Sequence, residues 1–243
     1  MSIQEYLEKI KNIQTTLLEF LKEEVNTEEI FQNFCSILHN FINHDKNDLR
    51  LFLHLISKIS KNYHGGPDFI SKIIRIIEYL EESIKKKLSN SEIFKFFKNS
   101  KRILLFLVEK KIIVFDKDII QKIIQPKYLE AKYPQYFLPE IKPFINEEWF
   151  PKYETESRKS GSFNSTKNEW VKELEKELPH DFNEMRKSGE NESYICKLIR
   201  NDSVEEFIAH VNKNNYRLNS IIRLSIFETN SFLIKKQIES DKS

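Results

Sequence analysis

Apolar residues recur at helical spacing through the first half of the chain. Ile3, Tyr6, Leu7, Ile10, Ile13, Leu17, Leu18 and Leu21 line one face of a helix predicted over residues 3–25. Asn26-Thr-Glu-Glu has the form of a capping box and opens a second helix carrying Phe31, Phe34, Ile37, Leu38 and Phe41. Asp45 caps a third helix, from Leu49 to about Ile59, and Asn62-Tyr-His-Gly-Gly-Pro67 ends it. Pro67 suits the first position of the next helix. That helix carries Phe69, Ile70, Ile73, Ile74, Ile77, Leu80 and Ile84 and is predicted to run to Leu88. Ser89-Asn-Ser-Glu92 restarts the pattern with Ile93, Phe94, Phe96 and Phe97; Ile103–Ile113 follows, then a short helix with Ile119, Ile120, Ile123 and Ile124.

A faint echo runs through these helices. Leu17-Leu-Glu-Phe-Leu returns as Ile76-Ile-Glu-Tyr-Leu, Glu29-Ile-Phe as Glu92-Ile-Phe, and Asp45-Lys-Asn-Asp as Asp116-Lys-Asp. The order is kept at about sixty residues' spacing, as in helical repeat architectures. A chain rich in Lys, Ile and Glu also produces such echoes by chance.

Residues 126–167 break the pattern. Prolines 126, 134, 139, 143 and 151 interrupt a run holding Tyr128, Tyr133, Tyr136, Phe137, Phe144, Trp149, Phe150 and Tyr153. Prolines at this density forbid a long helix, so the segment is expected to run extended or in short turns, laying aromatics against a core or offering them to a partner. Glu154–Lys167 has no aliphatic residue and reads as a flexible Ser/Lys loop. A charged helix is predicted over Glu169–Leu178, closed by Pro179-His180.

From Gly189 onward two short helices are expected, joined at Asn201-Asp202. Ile195, Leu198 and Ile199 mark one face; Val204, Phe207, Ile208 and Val211 mark the other. Asp202 or Ser203 can cap the second through a side-chain oxygen, with Glu205 and Glu206 at its positive end. Each is only two or three turns long and needs neighbours. This spacing resembles an ankyrin repeat: Arg200-Asn201-Asp202-Ser203-Val204-Glu205 falls on the turn between its helices. Ser193-Tyr194-Ile195-Cys196 stands where the repeat's Thr-Pro-Leu-His would be, and Asp202 replaces the turn glycine. With Ser225-Ile226-Phe227-Glu228-Thr229-Asn230-Ser231-Phe232-Leu233-Ile234 added, residues 189–236 are similar to a repeat of an uncharacterised ankyrin-repeat protein family of parasitic protists. Pro139-Glu-Ile-Lys-Pro-Phe-Ile-Asn146 is similar to the same family more weakly. The resemblance implies a protein-binding module. More repeats follow in that family; none is expected here, so the usual concave surface is not expected either.

Composition narrows the class. Among 243 residues there are four glycines and seven prolines, which favours helices over a turn-rich β-sandwich. The formal net charge of +2 calls for neither nucleic acid nor an anionic membrane. Two cysteines, Cys35 and Cys196, fit a reducing compartment. The longest pure apolar run, Ile103–Val108, is too short to span a bilayer. A cytoplasmic protein without membrane insertion is expected.

Candidate chemistry is sparse. Cys35 and His39 stand four apart, with His44 and His54 nearby, yet there is no Cys-x-x-Cys and no second pair to complete a zinc site. His64-Gly-Gly-Pro67 precedes a helix but lacks the remainder of a phosphate-binding loop. No Gly-x-Ser-x-Gly or His-Glu-x-x-His occurs. Lys85-Lys-Lys87 and Lys110-Lys111 have Glu81, Glu82 and Glu109 beside them. No cofactor, metal or catalytic residue is assigned.

The expected fold is all-α: a stacked, helical-repeat-like domain over 1–125, a Pro/aromatic strip and flexible loop over 126–167, and an ankyrin-like helical segment over 168–243. The expected function is a non-catalytic protein–protein interaction scaffold, binding another protein or itself. A helical nucleic-acid binder is the alternative and an unrecognised enzyme the third reading. Tyr216, Arg217, Ile222, Phe227 and Phe232 are the candidate partner-binding residues, chosen for chemistry and position.

Overall fold

The structure is a computed structural model that describes residues 2–23, 27–42, 45–62, 68–124, 133–148, 167–176, 178–188, 194–216 and 225–227. Among these residues every regular element is helical, and the fold is all-α. The chain divides into two compact units, Met1–Val114 and Phe115–Ser243.

In the first unit, α1 (Ile3–Lys22) starts at a Ser2–Glu5 capping box and packs against α2 (Glu28–Ile42). Phe20 stacks on Phe34 with ring centres 4.7 Å apart, and Phe31 lies 5.9 Å from Phe20. The cap of α2 is Thr27, one residue beyond the expected Asn26; its hydroxyl accepts the Ile30 N–H at 3.3 Å. Asp45 caps α3 (Lys46–Asn62) as predicted, accepting the Asn47 N–H at 2.8 Å.

One predicted helix is two: α4 (Phe69–Tyr79) and α5 (Glu81–Lys87). Between them the Leu80 N–H is shared by the carbonyls of Ile76 and Ile77, each at 3.1 Å, which tightens the turn. Leu80 and Ile84 are both buried, so the apolar period runs through the break and conceals it. Ser89 and Glu92 form the predicted capping box of α6 (Asn90–Phe97). Helix α7 (Lys101–Glu109) ends in a Schellman motif. Lys111 is left-handed there, at φ 54°, and the Ile112 N–H reaches the Leu107 carbonyl at 2.9 Å.

These helices stack side by side: α4 packs against α1, α3 and α7, and α6 against α3 and α7. Leu17, Leu38, Phe52, Ile73, Phe97 and Ile103 are central to the interior. Polar ties pin the stack. The buried Lys72 of α4 donates to the carbonyls of Phe20, Leu21 and Glu23 at the end of α1. Asp48 of α3 accepts from the Tyr6 hydroxyl at 2.9 Å and Lys9 at 2.8 Å, both on α1. The carboxylate at Asp48 raises the Tyr6 pKa, mainly through that hydrogen bond.

The second unit contains α8 (Lys117–Ile124), α9 (Tyr133–Tyr136), α10 (Leu138–Ile141), a 3-10 turn (Lys142–Phe144), α11 (Lys167–Lys176), α12 (Phe182–Ser188), α13 (Tyr194–Arg200) and α14 (Val204–Lys213). Over 133–148 the prolines exclude a long helix as expected, and of the two expected forms the chain takes short helical turns and not an extended run. Pro139 and Pro143 each sit at a helix start, so every element between them is about one turn long. Tyr133, Tyr136 and Phe137 face inward: the Phe137 ring has ring centres of Tyr136, Tyr133 and Phe115 at 4.9, 5.0 and 5.5 Å. Arg186 of α12 is buried against this strip. It donates to the Tyr136 carbonyl at 3.0 Å and to Glu140 at 2.7 Å, while the Tyr136 hydroxyl donates to the Arg186 carbonyl at 2.7 Å. The Ser/Lys loop at 154–167 lies outside the described residues except for its last residue, Lys167, which opens α11. Among the described residues no helix is long and apolar enough to cross a membrane.

Candidate interaction surface

Helices α13 and α14 pack together as a hairpin, and the turn between them is fully specified by backbone hydrogen bonds. Asp202 is left-handed at φ 52°. The Ser203 N–H reaches the Leu198 carbonyl at 3.0 Å, and the Asp202 N–H reaches Ile199 at 3.3 Å, which is again a Schellman motif. Ser203 then serves as the first flanking residue of α14, its carbonyl accepting the Phe207 N–H at 2.9 Å. One residue thus ends one helix and begins the next. The expected side-chain cap is not made by Ser203; the acidic first turn, Glu205 and Glu206, favours the helix dipole instead. Helix α14 ends the same way, with Asn215 at φ 52° and the Tyr216 N–H on the Val211 carbonyl at 3.0 Å.

The hairpin is poorly covered. Leu198 is buried and anchors α13, but no side chain of α14 is buried. Val204, Phe207, Ile208 and Val211 form one apolar stripe at i, i+3, i+4 and i+7. Phe207 and Val211 are half-buried, while Val204 and Ile208 face solvent. Together with Tyr194, Ile199 and Tyr216 they are 47–57 % exposed, half of the large exposed apolar side chains among the described residues. At the open end of the hairpin, the His210 ring lies 4.8 Å from Tyr194 and 5.7 Å from Tyr216.

The five sequence-chosen contact residues fare differently. Tyr216 is exposed and belongs to this surface. Phe227 does not reach it: its ring is fully buried, 5.6 Å from that of Phe182, because the segment Ser225–Phe227 folds into the interior of the unit. Arg217, Ile222 and Phe232 lie outside the described residues. Val204 and Ile208, which carry the open stripe, were legible as a helix face; nothing in their spacing says whether that face is covered.

In the first unit, Cys35 is buried and burial pushes its thiol up to about 11, whereas His39 and His54 are exposed. Cys35 and His39 therefore point to different environments despite their i, i+4 spacing. His44 and the His64–Pro67 loop lie outside the described residues. Lys85 and Lys110 are engaged by Glu81 and Glu78.

Compared with protein-family models, curated proteins and solved structures, the chain matches none.

Proposed function

We propose that this chain is a non-catalytic protein–protein interaction module of ankyrin-repeat type, with the α13–α14 hairpin as its contact surface. One observation carries this: Val204 and Ile208 stand one turn apart on the same stripe and both remain more than half exposed. Covering two such side chains contributes about 1 kcal/mol each, beyond their present burial. The left-handed Asp202, at the position where an ankyrin-type turn carries glycine, supports the kinship of the hairpin. Two cysteines in 243 residues are too few for a disulfide framework, which suits a reducing compartment such as the cytoplasm.

The test compares proteins retained from a lysate of the source cell by the full chain and by a Val204→Asp/Ile208→Asp variant. Proteins lost with the variant are the expected result. Identical retained sets would remove the proposal. Retention on heparin at low salt, falling steeply as salt rises, would favour nucleic-acid binding instead.

A further inference from the structure

We draw no further inference here: the strongest candidate, the open apolar stripe of α14 at Val204 and Ile208, belongs to the contact surface already described, and nothing in the structure shows what covers it.

Discussion

The Lys72 ammonium lies 3.3 Å from the Leu21 carbonyl oxygen, closing the end of a helix fifty-one residues earlier in the chain. It also donates to the carbonyls of Phe20 and Glu23. The last carbonyls of a helix have no partner within it, and these sit where Phe20 and Leu21 are buried. Lys72→Met keeps most of the side-chain volume and removes all three donors. We expect it to lower unfolding free energy by about 2 kcal/mol in urea titration, the cost of orphaned buried acceptors less the relief of burying a charge. An unchanged midpoint would show that the cap contributes nothing.

Glu92 predicts how the first unit responds to acid. The Ser89 N–H and then the Arg50 guanidinium, opposed in part by burial, hold its carboxyl at about 2, below the ordinary 4.5. As pH falls the unfolded chain takes up this proton first, so the contribution is whole above about 4.5 and lost on the way down to about 2. Arg50 and Lys46 are both more than a third exposed; with solvent screening the contribution is about 2 kcal/mol. Glu92→Gln should cost that amount at pH 7 and flatten the acid limb between those two pH values. Parallel acid limbs for the two proteins would contradict the assignment.

Lys111 holds a left-handed backbone, at φ 54°, that closes α7. A side chain in that region costs about 1–2 kcal/mol, which glycine avoids at the expense of a looser unfolded chain. Lys111→Gly is therefore expected to stabilise, by about 0.5–1 kcal/mol net, read as a higher thermal midpoint. Destabilisation would mean that the Lys111 side chain contributes more than its backbone strain.

Arg186 and Glu140 are a mostly buried ion pair at 2.7 Å. Removing either partner leaves the other charge in the interior. Glu140→Ala and Arg186→Met are each expected to cost about 3 kcal/mol. The double variant should fall short of their sum by about 2 kcal/mol, measured as a double-mutant cycle. Additive losses would mean that the two groups act separately.

Thiol labelling separates the two cysteines. Cys35 is buried, with its thiol pushed up to about 11, and Cys196 is half-buried. At pH 8 only about one Cys35 in a thousand carries the reactive thiolate. Native protein should take up one equivalent of iodoacetamide quickly, at Cys196, and the second only at the rate of unfolding. Rapid uptake of two equivalents would contradict the burial of Cys35.

The sequence by itself determined most of the longer helices, though not α12 (Phe182–Ser188), which is too short to show a period. A helix's own period and caps are local, and Ser89–Glu92, Asp45 and the prolines of 133–148 act within a few residues of themselves. The turn at Asn201-Asp202 was legible for the same reason. Tertiary structure alone decided the rest. Leu80 breaks a helix without disturbing its period, and Lys72 and Arg186 become interior because their partners lie about fifty residues away. Phe227 and Ile208 look alike as apolar positions, yet one ring is buried against Phe182 and the other side chain meets solvent. Burial is a property of what packs against a face, and that neighbour is set by the path of the whole chain, not by the face itself.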